Sequence, residues 1–438
     1  MNIGFIGLGC EKNMINTEQM IYRVQAAGHT VVSDADTAEI IVINTCGFIA
    51  SAQSEAIETI MEMAALKKEG KIKKIIVCGC LPERFQKEIA GEIVEADAFV
   101  GVGSFQEIVQ VIEKLETQDK VCAFAPPEAQ DMEGSRVRTG FPFTAYLKLA
   151  DGCNNCCTYC AIPAIRGTYR SRPMENIVAE ATLLANEGVK ELILIAQDTT
   201  LYGTDLYGEN KLTELLGELV KIEGIEWIRM LYLYPDKITD RLIDTIAAQD
   251  KLIPYIEMPI QHSEQSILSR MNRPGSREDL LLLIEKIRSK LPQAVLRTTL
   301  IAGFPGESEA EFEGLCDFVR EARFDRLGVF PYSREAGTPA YDFEGQLDES
   351  IKLRRAEVIE DIQSEIAYEK LQKTVGKKLK VLCEGYDRLA ECYYGRSYGE
   401  APDIDGKIFF TGKAVPGQFV NVEITDMLDF DLIGEIVK

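Results

Sequence analysis

No stretch of the 438-residue chain approaches eighteen uninterrupted apolar residues, and the opening MNIGFIGLGCEKN carries neither a basic n-region nor a small-residue cleavage site. A membrane span and a secretory leader are thereby disfavoured, and a cytoplasmic location is expected. Basic residues are scarce: 48 Lys and Arg face 70 Asp and Glu, for a net charge of −22. That balance argues against a long, sequence-independent grip on a phosphate backbone and favours a basic partner, although a local basic patch is compatible with it. Histidine is nearly absent, with two residues. His29 follows a glycine after a helix and reads as a surface turn residue, and a lone histidine such as His262 is as often a structural hydrogen-bonder as a catalyst. There is no internal repeat and no low-complexity segment.

Cysteine, in contrast, is plentiful, with twelve residues. In a cytosolic chain of this size a disulfide framework is a poor reading, because the compartment keeps thiols reduced and the fold needs no staples; metal or cluster ligation is the better default. The length exceeds what one hydrophobic core supports, so two or three domains are expected.

The pattern divides the chain accordingly. Over residues 1–115 short β-branched runs (NIGFIGLG, EIIVINT, KKIIVCG, DAFVGVG) alternate with helical periodicity, the signature of a parallel sheet with crossover helices. Residues 116–142 lose the periodicity, carry prolines and charges, and read as a linker. Over 143–372 a second alternation begins, with strands expected at 145–151, 191–197, 227–235, 255–260, 295–304 and 326–333, closed by the helix IKLRRAEVIEDIQSEIAYEKLQKTV. Six βα units predict a barrel or part of one, a doubly wound sheet being the alternative. Residues 373–438 form short strands broken by glycines, which fits a small all-β barrel of the OB-like kind.

In parallel α/β domains ligands bind at the C-terminal ends of strands. In the middle domain those ends carry Cys153, Cys156, Cys157 and Cys160, then Gln197 and Asp198, then Gln261 and His262, then GFPGE (303–307), then Tyr332 and Ser333. Cys153, Cys157 and Cys160, at C-x3-C-x2-C spacing, can hold three irons of a four-iron cube and leave the fourth open. The alternative is zinc, which usually takes four closed ligands at paired spacing, and no second pair follows nearby. Cys156 reads as a bystander pointing away from Cys157. In the first domain Cys10, Cys46 and Cys80 each close a candidate strand, which would bring three thiolates together in one sheet; the competing reading is separate buried cysteines. Cys78, Cys122, Cys316, Cys383 and Cys392 read as packing.

These residues resemble the radical S-adenosylmethionine methylthiotransferases. DGCNNCCTYCAIPAIRG is similar to their cluster motif, including Tyr159 before the last cysteine; Cys156 departs from it, standing where a non-ligating polar residue is expected. The C-x3-C-x2-C core alone names only the radical superfamily. A three-cysteine first domain and a β-rich last domain resembling the TRAM module narrow it to methylthiotransferases. GLGCEKNMINTE, AQDTTLYGTDLYG, RMLYLYPD, PIQH, GFPGE and YSREAGTPAYD resemble the branch that methylthiolates an aspartate of small-subunit ribosomal protein S twelve. Relatives acting on adenosine in transfer RNA have different words at several of these places, including the first cysteine loop.

The resemblance implies an N-terminal parallel α/β domain, a central radical SAM partial (βα)6 barrel and a TRAM barrel. It implies that Cys153, Cys157 and Cys160 bind the cluster that cleaves S-adenosylmethionine, and that Cys10, Cys46 and Cys80 bind an auxiliary four-iron cluster. Two S-adenosylmethionine molecules are then consumed, one as methyl donor and one as radical source, with flavodoxin or ferredoxin as an electron donor. By strand-end position Gln197, Asp198, Gln261, Gly303 and Gly306 are candidate cofactor contacts, and Arg166, Arg170 and Arg172 candidates for orienting carboxylates; rim structure and surface charge are the competing readings. Residues 374–438 hold eight Lys or Arg against eleven Asp or Glu, which suits a basic ribosomal protein and makes transfer RNA the runner-up. A non-catalytic iron–sulfur redox protein would explain the cysteines but not the other strand-end polar residues. A single chain is the default oligomeric state.

Overall fold

The computed structural model describes residues 1–437, with Lys87 described by its backbone alone; Lys438, the last residue of the 373–438 stretch, lies outside them. Among the described residues no helix is long and apolar enough to cross a membrane.

The first sheet has six strands in the order β2-β1-β3-β4-β5-β6, all parallel: β1 Asn2–Gly7, β2 Thr30–Val32, β3 Ile40–Thr45, β4 Lys74–Gly79, β5 Ala98–Val100 and β6 Val121–Ala123. Every residue of β3 is buried, as a central parallel strand covered on both faces requires. The covering helices are α1 Glu11–Ala26, α2 Ala50–Lys68, α3 Cys80–Glu92 and α4 Ile108–Lys114. One core lies on each face, with Met20, Val24 and Ile112 on one side and Ile60, Ala64 and Ile89 on the other. Strand β6 corrects the linker reading of 116–142. Val121–Ala123 pairs with β5 at the edge of this sheet, where three residues are too few for any period to register.

The middle sheet is also parallel and runs β14-β13-β12-β11-β10-β7, in sequence order and open at both ends, which is a partial barrel rather than a doubly wound sheet. Its strands are β7 Thr144–Lys148, β10 Glu191–Ile195, β11 Trp227–Met230, β12 Leu252–Glu257, β13 Val295–Ala302 and β14 Arg326–Pro331; a short antiparallel pair, β8 Ala150–Asp151 with β9 Arg170–Ser171, sits at its mouth. The helices are α5 Ile162–Arg166, α6 Met174–Asn186, α7 Leu212–Leu219, α8 Asp240–Ala247, α9 Gln265–Arg270, α10 Arg277–Lys290, α11 Glu309–Ala322 and α12 Glu349–Gln372. Helices α10 and α11 start at reciprocal capping boxes, Ser276 with Asp279 and Ser308 with Glu311. Two expected strands end early. The run 145–151 breaks after Lys148, where Ala150 and Asp151 turn to pair with β9. The run 227–235 leaves the sheet at Leu231, because Tyr232 takes a left-handed backbone (φ 63°) and gives its N–H to the Glu257 carboxylate.

The last domain is a closed barrel in the order β15-β16-β17-β19-β18: β15 Lys378–Asp387, β16 Cys392–Arg396, β17 Ile408–Thr411, β18 Phe419–Leu428 and β19 Asp431–Ile436. It is joined to the middle sheet by buried charge. Glu191 at the start of β10 is bonded to Arg396 (2.7 Å) and to Arg229 (2.9 Å), and Arg396 also holds Glu384 (2.6 Å).

Candidate functional site

The N-terminal thiols come together because three neighbouring strands end side by side. β1, β3 and β4 are adjacent, about 4.8 Å apart, and each is followed at once by a cysteine: Cys10 caps α1, Cys46 follows β3, and Cys80 opens α3. Two glycines permit the approach. A Cβ on Gly9 (φ 95°) would lie 3.0 Å from Cys46 Cβ, and one on Gly47 would lie within 2.8 Å of the Cys80 and Leu81 backbone. Burial pushes the Cys46 thiol up to about 12, with Cys80 and Cys10 adding charge repulsion. Burial also raises Cys80, and the Arg166 guanidinium opposes it.

The second group comes from one loop. Gly152 (φ 81°) turns the chain out of β8, and a Cβ there would strike the Thr168 carbonyl. Cys153 and Cys157 are buried, whereas Cys156, in left-handed backbone (φ 51°), is exposed; Asn272 Nδ2 holds that turn through the Cys156 carbonyl (3.0 Å). Polar groups surround the sulfurs: Asn155 Nδ2 donates to Cys153 (3.5 Å), the Ile162 N–H to Cys160 (3.4 Å) and Arg273 Nη1 to Cys157 (3.8 Å), and Tyr234 Oη lies 3.0 Å from Cys157. Burial pushes Cys160 up to about 12, with repulsion from Cys157 and Cys153. Among the described residues no three His, Cys, Asp or Glu side chains converge on a single ion. Each group offers three soft sulfur donors, with hydrogen-bond donors on Cys153, Cys157 and Cys160 in one and on Cys80 in the other, a donor set that fits an iron–sulfur cluster.

Arg166 joins the two groups. Fully buried in α5, it donates to Asp151 (2.9 Å), Asn16 (3.3 Å), Asn13 and Cys80 Sγ (3.6 Å), and so runs from the first domain to the residue two places before Cys153. Lys148 supports the same carboxylate (3.0 Å). Burial works against the charge of Asp151, yet Arg166 and Lys148 together hold its carboxyl well below the usual range.

The remaining strand-end residues divide. Gln197 Nε2 donates to Asp151 (2.9 Å), and buried Asp198 accepts from Asn155 (2.8 Å) and Lys237 (2.7 Å), so both belong to the cysteine loop's network. Gln261 (φ 74°) exchanges backbone bonds with β13, its N–H to Thr299 (2.8 Å) and its carbonyl from Ile301 (2.8 Å). Gly303 and Gly306 are built into the loop that follows β13. The N–H of Gly303 goes to Glu307 (2.9 Å) and that of Gly306 to the Gly345 carbonyl (2.8 Å), while Lys352 and Arg270 fill the space a Cβ would need. Arg170 and Arg172 are engaged by partners within the chain. Arg170 donates to the Thr168 (2.9 Å) and Pro127 (3.1 Å) carbonyls, and Arg172 grips Glu133 with two nitrogens (2.9 and 2.6 Å) and Glu180 (2.7 Å). His262 is buried, accepting the Glu264 N–H on Nδ1 (3.0 Å). Sequence reasoning did not single out Asp151, Asn155, Tyr234 or Arg273. Asp151 and Asn155 stand inside the cysteine motif itself, where spacing drew the eye to sulfur; nothing local marks Tyr234 or Arg273.

Comparison with known proteins agrees with this division. The uncharacterized protein family UPF0004 matches residues 2–101, the radical SAM superfamily 147–319 and the TRAM domain 375–437. The chain is 48% identical over 437 residues to the ribosomal protein uS12 methylthiotransferase RimO of Caldanaerobacter subterraneus subsp. tengcongensis, covering 99% of each chain. It is 43% identical over 440 residues to the protein of the same name from Geobacter sulfurreducens, covering 100% of this chain and 98% of that one. The chain belongs to the RimO methylthiotransferase family. Among solved structures, the radical S-adenosylmethionine methyltransferase TsrM of Kitasatospora setae, with cobalamin and a four-iron cluster bound, superposes with a TM-score of 0.59 at 14% identity, covering 77% of this chain and 76% of that one; the likeness is one of fold. In RimO terms, the three matched segments supply the first thiol group, the second thiol group and the closing barrel.

Proposed function

We propose that this chain is a radical S-adenosylmethionine transferase that adds a methylthio group to the β-carbon of an aspartate in ribosomal protein S twelve, consuming one S-adenosylmethionine as methyl donor and a second as radical source. One observation carries the reading: two groups of three thiols, built by two domains, are linked through a single buried arginine. When bound, a four-iron cluster with one iron free of protein thiolate, together with S-adenosylmethionine, supplies the one-electron chemistry that breaks a C–H bond no protein base could deprotonate at neutral pH.

The chain's own residues do the rest. Cys153, Cys157 and Cys160 hold the cluster that cleaves S-adenosylmethionine, and Cys10, Cys46 and Cys80 hold the auxiliary cluster that carries sulfur. Asn155 and Arg273 fix the sulfurs of Cys153 and Cys157 by donating to them, with the Tyr234 hydroxyl in hydrogen-bond contact with Cys157, and such hydrogen bonds tune cluster potential. Gln197 and Asp198, tied to the cysteine loop, orient the nucleoside, with Gln261 further along the mouth. Arg166, bonded to Asp151 and Cys80, keeps the two sites in register across the domain boundary. The net acidity of the chain suits a basic ribosomal protein as substrate. The protein works as a single cytoplasmic chain reduced by a small donor such as flavodoxin or ferredoxin.

The test is one anaerobic turnover of reconstituted protein with reductant, S-adenosylmethionine and sulfide, offering ribosomal protein S twelve and unmodified transfer RNA together. A methylthio mass increment on an aspartate of the protein is expected. The same increment on an adenosine would keep the chemistry and overturn the substrate.

A further inference from the structure

Lys12 is an anomaly at the domain boundary. It stands two residues after Cys10 in the first turn of α1, and it is 4% exposed, although a lysine so buried is almost always paired. Among the described residues no carboxylate lies within ion-pair distance of its ammonium. Its closest recorded partner is a π face, with Nζ 3.0 Å from the centroid of the Tyr232 ring. The two acids nearest to it are committed to that same tyrosine. Glu11 accepts the Tyr232 hydroxyl (3.0 Å), and Glu257 accepts its N–H. The other charged neighbours are Cys10 on the first domain's side and Arg166 on the other, and Arg166 already has Asp151.

Tyr232 is itself held in a costly state. Its φ of 63° places a bulky aromatic in the left-handed region at the mouth end of β11, a conformation that persists only where surroundings enforce it and that clusters at functional sites. The first domain thus contributes the ammonium, two residues after Cys10, and the middle domain contributes the ring under it, two residues before Tyr234, whose hydroxyl lies 3.0 Å from Cys157; among the described residues no carboxylate is paired with that lysine.

We infer that Lys12, seated on Tyr232, is the specificity-determining contact for the carboxylate of the target side chain. The inference rests on the reading that the substrate is an aspartyl residue. An aspartate brings the missing anion, whereas an asparagine or an uncharged base does not. Binding the carboxylate here would hold the adjacent β-carbon between the two thiol groups, where hydrogen removal and sulfur delivery must meet. Glu11 and Glu257 orient the seat through Tyr232 and repel an anion placed anywhere else around it.

The experiment measures anaerobic equilibrium binding to reconstituted holoenzyme, by fluorescence anisotropy. The probes are two labelled peptides from ribosomal protein S twelve, one with the target aspartate and one with asparagine in its place. Wild-type protein is expected to prefer the aspartyl peptide by about ten- to a hundredfold, the worth of one charge-assisted contact. K12Q should lower its affinity to that of the asparaginyl peptide and leave the latter unchanged, and K12R should restore part of the preference. Iron content and circular dichroism on the same samples confirm that each variant is loaded and folded. A K12Q protein that keeps the preference overturns the role of Lys12 while leaving the proposed substrate intact. Equal weakening of both peptides, or loss of iron, assigns the lysine to the thiol site and overturns it as well. Wild-type protein that binds neither peptide removes the substrate reading and this inference together.

Discussion

The two thiol groups reach the same inventory by opposite routes. One is written into eight consecutive residues, Cys153 to Cys160, whose turn is fixed by Gly152, by Asn272 on the Cys156 carbonyl and by donors on each sulfur. The other exists only when β1, β3 and β4 are side by side, with Cys10, Cys46 and Cys80 arriving from three connections. The local site carries its own hydrogen-bond scaffold. The distributed site depends on sheet register and on close approach at Gly47, and the guanidinium bonded to Cys80, that of Arg166, is supplied by the other domain. The lesson is that a ligand set made by a loop survives modest loosening of its domain, whereas one made by a sheet is as precise as the sheet.

The sharpest way to break this comparison is to remove each set. Replacing Cys10, Cys46 and Cys80 by alanine is expected to lower iron by about four per chain, abolish methylthio transfer and leave reductive cleavage of S-adenosylmethionine; replacing Cys153, Cys157 and Cys160 should abolish both reactions. Iron assay and chromatography of the nucleoside product check this, and loss of all iron from either triple variant would mean the sites are not separable.

A next, smaller effect probes stability away from both sites. Glu191→Gln leaves buried Arg229 without its charge partner and takes one of two from Arg396, and should cost about 3–5 kcal/mol in urea unfolding, with iron content unchanged. Burial works against the charge of Glu191, but Arg396 and Arg229 hold its carboxyl below the usual range. Its stabilisation is therefore present above the unfolded value of about 4.3 and is lost as pH falls through the lower folded value, so the gap between wild type and variant should close in acid.

Gly47→Ala should push the Cys46 loop off the Cys80 backbone at about 1–3 kcal/mol, depleting iron from the first domain alone. Asn155→Ala, which removes one donor from Cys153 and one from Asp198, is expected to cost about 1 kcal/mol and to weaken only S-adenosylmethionine binding, read by equilibrium dialysis. If Asn155→Ala proved the more damaging of the two, the view of the loop as self-supporting would fail.

What the sequence made legible follows the same divide. Strands such as β3, buried on both faces, announce themselves as unbroken apolar runs, and the cysteine loop announces itself by spacing. Strand β6 did not, because three edge residues among prolines and charges show no period. The break in β11 was hidden for a different reason: Tyr232 leaves the sheet through a left-handed backbone that only Glu257, 25 residues on, explains. Arg166 reads in sequence as a candidate for orienting a carboxylate, with surface charge as the alternative, and its span across the domains shows only when Asn13, 153 residues earlier, and Cys80, 86 residues earlier, are folded against it. At Gly303 and Gly306 the residue type alone does not decide the role, since glycine beside a strand end serves close packing as readily as ligand approach.

The bond from Glu191 to Arg396 bears on how the chain is born. Its partners are 205 residues apart in sequence, so at translation rates of about 5–20 residues per second the start of β10 waits roughly 10–40 s for its second arginine. During that interval Arg229 alone supports a carboxylate at a surface the barrel has not yet covered. The barrel closes only with β19, at residues 431–436, so the strand that seals it is made after every strand of the middle sheet. The middle domain thus gains its second arginine from a domain made later, and closing of the barrel acts as a late folding step for both.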